Sequence, residues 1–253
     1  MAQRKVILHY HLFKNAGTSI DQILKKSLGD FWRSYDMSDG SAVITSATFT
    51  ALIENLPQIV AWSSHQVVPP IPQIKDVKIF PIVFIRHPLD RARSAYLFEW
   101  QKQQTKAKPI GSFAAYIKQK FASPRRNAIE DFQTIRLSNP YSNSFRNPKQ
   151  VSDSELLEQA KNFLQSLLFL GIVDEFEASI AKLKDYLAQD FPQLHIEPYK
   201  ANVLQDISLS MEEKLMSIKE ELGEDIFNLL AERNQLDLAL YNYAKQLFVK
   251  SYP

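Results

Sequence analysis

A short polar loop near the start of the chain carries residues that could hold a phosphate group. The segment HLFKNAGTS, residues 11–19, lies between a β-branched, aromatic run and an amphipathic run. Such a strand-to-helix loop points backbone N–H groups at the space above it, and Lys14, Thr18 and Ser19 add a positive charge and two hydroxyl groups. The loop is not a G-x-x-x-x-G-K-[ST] loop, because its lysine precedes Gly17. The alternative is an ordinary connection with an incidental lysine and a glycine that serves the turn.

A second polar segment, residues 86–96, follows an apolar strand-like run and continues into a helix-like run. Arg86 at the carboxyl end of a strand and Ser94 two turns into the helix can both face the crevice where open α/β sheets bind ligands. A guanidinium and a hydroxyl group at such a place suit a phosphate monoester. The alternative is that the arginines of this segment, Arg91 and Arg93 above all, form a solvated helix face. This interpretation fits Arg93 better than it fits Arg86.

Together and in this order, the two segments resemble the motifs of sulfotransferases that use 3′-phosphoadenosine 5′-phosphosulfate (PAPS). The resemblance is strongest to the carbohydrate branch, which includes the uronyl and heparan sulfate 2-O-sulfotransferases. It implies that the first segment grips the 5′-phosphosulfate of PAPS through Lys14, Asn15, Ala16, Gly17, Thr18 and Ser19. It also implies that R-x-P-x-x-R-x-x-S, present as Arg86, Pro88, Arg91 and Ser94, grips the 3′-phosphate, with Arg86 and Ser94 as the binding residues.

The resemblance extends over most of the chain. FLGIVDEFEASI (169–180) and NQLDLALYNYA (234–244) are similar to the later strand-helix unit and the closing helix of the family. Two loop residues depart from the family pattern, because Phe13 and Ala16 stand where the family often has Pro and Gly. The departures affect the expected geometry of the loop rather than its expected role.

A sulfuryl transfer needs a group that takes the proton of the acceptor hydroxyl, and His65 is the first candidate. His65 ends the strand-like run IVAWSSH, and a neutral imidazole at a strand end lies where the crevice is expected. The family's 2-O-sulfotransferases place their proposed base in a short segment ending in His, which Ser64 and His65 resemble. The alternative is a histidine that only caps the strand; Glu99 and Asp36 are weaker substitutes for the base.

The other histidines suggest no further catalytic site. His9 and His11 would share one face of a strand and could form a metal pair, but the sequence indicates no third ligand. His87 lies inside the second segment, and His195 lies in a stretch without periodicity. We therefore expect no metal site and no metal cofactor.

The elements around these segments predict an α/β fold with a central parallel sheet flanked by helices. Strand-like runs cover residues 5–13, 59–65, 78–86 and 169–173, and helical runs follow the first, third and fourth of them. Two further helices are predicted near the carboxyl end of the sequence. The resemblance implies the P-loop-type three-layer form of this fold. We interpret residues 1–253 as a single domain with a mainly helical insertion around residues 100–165.

Composition narrows the partners of the protein. Thirty Lys and Arg residues against 28 Asp and Glu residues give a net charge of +2, which is too balanced to attract nucleic acid or a membrane through bulk charge. There is no cysteine, hence neither a disulfide framework nor a thiolate metal site. No run reaches the roughly 20 apolar residues of a membrane span, so we expect a cytoplasmic protein. The oligomeric state is left open.

The acceptor is expected to carry a hydroxyl group, and the resemblance favours a carbohydrate. The middle of the chain is basic with interleaved aromatic residues, which suits a carboxylated sugar polymer but equally an ordinary solvated surface. The residues concerned are Lys102, Lys106, Lys108, Arg125, Arg126, Arg136, Arg146 and Lys149 with Phe113, Tyr116, Phe121, Tyr141 and Phe145. The competing functions are a P-loop nucleotide-dependent kinase and a non-catalytic nucleotide- or glycan-binding protein.

Overall fold

A parallel sheet forms the centre of the computed structural model, which describes residues 3–103, 111–123, 127–138, 151–197 and 209–250. Within these residues the sheet has five strands in the order β2-β3-β1-β4-β5, and every pairing is parallel. The predicted α/β class is thus confirmed. The strands are β1 (Arg4–Tyr10), β2 (Trp32–Ser34), β3 (Ala61–Ser64), β4 (Val77–Ile85) and β5 (Gly171–Ile172).

Helices cover both faces of the sheet. Alternate residues of β1 enter two cores: Val6 and Leu8 pack on one side and Ile7 on the other, as a strand covered on both faces requires. A third cluster joins helices α3, α4, α8 and α9. The helices of the described ranges are α1 (Gly17–Leu28), α2 (Ser46–Asn55), α3 (Pro88–Gln103), α4 (Phe113–Phe121), α5 (Phe132–Ser138), α6 (Asp153–Gln165), α7 (Phe176–Ala188), α8 (Met211–Leu222), α9 (Glu224–Glu232) and α10 (Gln235–Lys250).

The structure differs from the sequence-based expectation in three places. The three-residue strand β2 and the helix α2 were not predicted. The fourth predicted strand is only two residues long in β5, because a short 3-10 turn, Val173–Glu175, follows it directly. The last predicted helix is two helices, because the side chain of Asn234 lies at the junction and donates to the carbonyl oxygens of Ile129 and Leu230.

The basic, aromatic middle segment is only partly described. Lys106, Lys108, Arg125, Arg126, Tyr141, Phe145, Arg146 and Lys149 lie outside the described residues. Of the others, Phe113 and Tyr116 are fully buried and pack against Tyr96. These two aromatic side chains belong to a core and offer no surface to a sugar. Among the described helices, none combines the length and the hydropathy that crossing a bilayer would require.

Candidate functional site

Three neighbouring strands bring the predicted site residues to one edge of the sheet. In the order β3-β1-β4, the strands end at Ser64, Tyr10 and Ile85. His65 follows the first, the loop of residues 11–16 follows the second, and Arg86 follows the third. Parallel strands present their carboxyl ends at the same edge, which is where open α/β sheets form their ligand crevice.

The loop between β1 and α1 has an unusual backbone. Lys14 (φ 65°) and Ala16 (φ 61°) are both left-handed, a conformation that costs a non-glycine residue roughly 1–2 kcal/mol. Ala16 is the residue before α1, and no side-chain hydrogen bond caps that helix within the described structure. The N–H of Ser19 donates to the carbonyl oxygen of Ala16, which leaves the N–H groups of Gly17 and Thr18 as the ones that could face an anion.

Gly17 is needed for space rather than for the turn. A Cβ atom at this position would overlap the imidazole ring of His11. The positive φ angles belong instead to Lys14 and Ala16, so a glycine that serves the turn, as in the alternative of an ordinary connection, is not what the structure has. Thr18 is exposed beside the loop and Ser19 is buried in the first turn of α1.

Asn15 turns inward, away from the crevice. Its Nδ2 atom donates to the carbonyl oxygen of Phe84, at 2.7 Å, and to Oε1 of Gln133, also at 2.7 Å. Gln133 in turn accepts from the backbone N–H of Arg86 at 3.0 Å and donates to its carbonyl oxygen at 3.0 Å. The side chain of Asn15 thus joins the loop to the end of β4, and its predicted contact with PAPS stays a prediction.

Gln133 is itself held by a buried polar cluster between α5 and α10. Asp237 accepts from the backbone N–H groups of Gln133 and Thr134 and from the Thr134 hydroxyl. Asp131 accepts in turn from the backbone N–H of Asp237. Arg91 is fully buried, with its guanidinium 3.7 Å from Asp237, and it donates to the carbonyl oxygen of Ala128. The solvated helix face considered for Arg91 was therefore wrong, whereas Arg93 lies partly exposed, 3.0 Å from Glu221.

Arg86 connects the two predicted motifs directly. Its Nε atom donates to Asp90, 2.6 Å away, and its Nη1 atom donates to the carbonyl oxygen of Lys14, 3.0 Å away. Asp90 thereby fixes the guanidinium and balances its charge. Arg86 and the loop that carries Lys14 are thereby adjacent at the carboxyl edge of the sheet, and their binding of a common anion stays a prediction.

Positive charge accumulates beside the loop. The Nζ atoms of Lys14 and Lys102 lie 4.4 and 4.1 Å from the ring centroid of Phe98. Burial, together with the charges of Arg86 and Lys102, lowers the pKa of Lys14 to about 8. No carboxylate of the described residues pairs with Lys14 or Lys102. Ser94 stands one turn before Phe98 on α3 and is half-buried.

His65 forms a hydrogen-bonded pair with Asp36. The Nδ1 atom of His65 lies 2.8 Å from Oδ2 of Asp36, and the other carboxylate oxygen accepts from the His65 backbone N–H and the Ser64 hydroxyl. Burial alone would raise the pKa of Asp36, but these hydrogen bonds lower it. A neutral imidazole that donates from Nδ1 keeps the lone pair of Nε2 free, which is the form a general base needs. Asp36, considered from the sequence as a substitute base, is instead the partner of His65.

A second carboxylate lies between His9 of β1 and His11, which follows that strand. Asp21 on α1 is 2.9 Å from Nδ1 of His9 and 2.8 Å from Nδ1 of His11. Burial would raise the pKa of Asp21, but the hydrogen bonds from His11 and His9 hold it well below its usual range. The three residues form a possible metal-ligand set, so the third group that the sequence did not indicate is present. The two hydrogen bonds join the three side chains, and the expectation of no metal site stays a prediction.

Glu99, the other substitute base, is already engaged. Its carboxylate accepts from the Tyr116 hydroxyl at 2.8 Å and lies 3.1 Å from the ammonium group of Lys120. Sequence reasoning missed Gln133 and Asp21 entirely, and it treated Lys102 only as part of a basic segment. The spacing of His9 and His11 suggested that the two imidazoles lie close together, but it did not indicate which residue of α1 would contact them.

Comparisons with known proteins agree with this geometry. The family model described as the sulfotransferase family matches residues 1–244. A protein of Archaeoglobus fulgidus, described only as uncharacterized, is 30% identical over 259 residues, which cover 98% of this chain and 99% of that protein. With nearly its whole length matched, and with a lysine loop, an arginine and a histidine at one edge of its parallel sheet, this chain belongs to the sulfotransferase family.

Proposed function

We propose that the protein transfers a sulfuryl group from PAPS to a hydroxyl group of a carbohydrate. The observation that carries this proposal is the meeting of the Lys14 loop, Arg86 and the His65–Asp36 pair at the ends of three adjacent strands. Positive groups for a doubly phosphorylated donor and a base for an acceptor are thereby close to one another.

Lys14 and the start of α1 bind the 5′-phosphosulfate in this proposal. Lys14 lacks a carboxylate partner in the described structure, and its pKa of about 8 reflects burial first and then the charges of Arg86 and Lys102. A half-buried ammonium group without a carboxylate partner is unfavourable unless an anion binds beside it. Lys14 then stabilises the charge that develops on the phosphate oxygen when the sulfur leaves it.

Arg86 and Ser94 bind the 3′-phosphate in this proposal, as the family resemblance implies. The guanidinium of Arg86 bonds to Asp90 and to the carbonyl oxygen of Lys14. In this proposal it also binds the donor. Lys102 adds a positive charge beside Phe98 and is a further candidate for binding the donor.

The reaction follows from these positions. The acceptor oxygen forms a bond to sulfur, the bond between sulfur and the 5′-phosphate oxygen breaks, and the acceptor proton passes to Nε2 of His65. Asp36 stabilises the imidazolium that results. The products are a sulfate ester and 3′-phosphoadenosine 5′-phosphate. A transition state of this loose kind depends mainly on positioning and on charge stabilisation.

The test is to incubate the protein with PAPS and a panel of glycans, phenols and lipid alcohols, and to identify sulfated products by mass spectrometry. We expect product with at least one glycan, and equal product in the presence of EDTA. Calorimetry should detect binding of 3′-phosphoadenosine 5′-phosphate. Binding of ATP with magnesium in its place would instead favour the kinase, and binding without any turnover would favour a non-catalytic protein.

A further inference from the structure

We propose that His11 is a positioning residue for His65, which extends the proposed function by naming what orients its base. The two imidazole rings are stacked, with centroids 3.8 Å apart and an interplanar angle of 29°. The side chain of His65 is 45% exposed, whereas that of His11 is only 10% exposed. The nearly buried ring of His11 therefore covers one face of the exposed ring of His65.

His11 is suited to this task because it is fixed on three sides. Its Nδ1 atom is held by Asp21 at 2.8 Å. Its backbone N–H donates to the carbonyl oxygen of Ser64, the residue before His65, at 2.9 Å. Gly17 lies so close to the ring that no side chain would fit there. The ring of His11 thus has little freedom to rotate.

His65 is held by two different contacts, one at the edge of its ring and one on a ring face. Asp36 fixes the Nδ1 edge of its ring through a hydrogen bond, and His11 covers one ring face. A single hydrogen bond would leave the ring free to swing about its side-chain torsions, because the side chain is exposed. The second contact restricts that motion and directs Nε2 towards the crevice.

The His11 ring lies among other titratable groups. Burial lowers the pKa of His11, and the charge of His9 lowers it as well, against the opposing effects of Asp21 and Asp36. The groups facing the His11 ring are His9, Asp21, Asp36 and His65.

The same ring connects the donor loop with the base. His11 is the first residue of the loop, and Gly17 at the start of α1 packs against it. A shift of the loop when the 5′-phosphosulfate binds would therefore move the His11 ring, on which the His65 ring is stacked. His11 itself need not touch the donor or the acceptor.

A double-mutant cycle tests the proposal. His11→Ala should lower the single-turnover rate at saturating PAPS roughly tenfold to a hundredfold, since misplacement of about 1 Å can cost that much. His11→Phe, which keeps a ring, should recover most of the rate. In a His65→Ala background, His11→Ala should change the rate by less than about twofold, because its effect passes through His65. Equal loss in both backgrounds would overturn the proposal.

His87→Ala serves as the matched control. His87 is buried like His11, but its aromatic contact is with Tyr241 rather than with His65. Its replacement should change the rate by the same factor with and without His65. Thermal unfolding of each variant separates loss of folding from loss of positioning.

A second measurement does not depend on turnover. In nitrogen-15 spectra of the histidine side chains, His65 of the unaltered protein should show one tautomer, protonated at Nδ1. In His11→Ala it should show a mixture, and an unchanged tautomer would refute the role of His11. Absence of sulfuryl transfer by the unaltered protein would refute the proposed function alone, since these spectra decide the role of His11 separately.

Discussion

Residues 1–102 and the residues from 133 onwards contribute to the candidate site in different ways. The first part supplies the groups that face the crevice: Lys14, His65, Arg86 and Lys102. The last part supplies Gln133 and Asp237, which are buried and never reach the crevice. The groups proposed to contact ligands lie mostly in short local motifs, whereas the groups that hold these motifs in place come from elsewhere in the chain.

The crevice groups should matter for rate, and the largest effect is expected at His65. His65→Ala should lower kcat by about 10² to 10⁴, the range found for general bases, with little change in the affinity for 3′-phosphoadenosine 5′-phosphate. Asp36→Asn should lower kcat less, because Nε2 remains although its orientation is weakened. Single-turnover kinetics and calorimetry measure the two quantities. A kcat within threefold of the original after both replacements would exclude His65 as the base.

Lys14→Met should come next, with a loss of about 10² to 10³ in kcat/KM for PAPS. The replacement keeps the length of the side chain and removes the charge that stabilises the leaving phosphate oxygen. Lys26→Met is the matched control, since Lys26 is exposed near the end of α1, and it should leave the rate unchanged. Similar rates for the two variants would contradict the assignment of the donor loop.

The buried support should matter for stability as well as for rate. Gln133→Ala leaves the amide of Asn15 and the backbone of Arg86 without their partner, and an unsatisfied buried group costs about 1–3 kcal/mol. We expect a lower free energy of unfolding in urea and weaker binding of 3′-phosphoadenosine 5′-phosphate. Gln159→Ala, at a partly exposed glutamine of α6 that donates to Glu155 on the same helix, should change neither. If Gln133→Ala is destabilised but binds the donor as well as the original protein, Gln133 supports the fold and does not position the donor site.

The same contrast explains how far the sequence alone could lead. Four of the five strands and the loop after β1 were predictable because each shows in a short run of adjacent residues, and the alternation of strands with helices predicted the parallel sheet. Asn15 was predicted to face PAPS, but its amide bonds to Gln133, which is 118 residues away. No local pattern reveals such a partner. The space that Gly17 leaves for His11 was equally hidden, because it depends on how a helix packs against a strand end.

The smallest expected effect concerns Lys102, and it tests whether the charge of Lys102 influences the pKa of Lys14. The pKa of Lys14, about 8, means that Lys14 is charged at neutral pH and loses its proton as the pH rises through that value. We therefore expect kcat/KM for PAPS to fall above about pH 8, since this quantity reports the free enzyme.

Lys102→Ala should move that fall to higher pH, because Lys102 is one of the charges that lower the pKa of Lys14. Below pH 7 the same variant should bind PAPS only a few-fold more weakly, since Lys102 is exposed and its charge is screened by salt. Lys118→Ala, an exposed lysine of α4, should leave the pH profile in place. A profile that Lys102→Ala does not move would mean that the two ammonium groups beside Phe98 are not coupled, and that the donor loop takes its electrostatic character from burial and from Arg86.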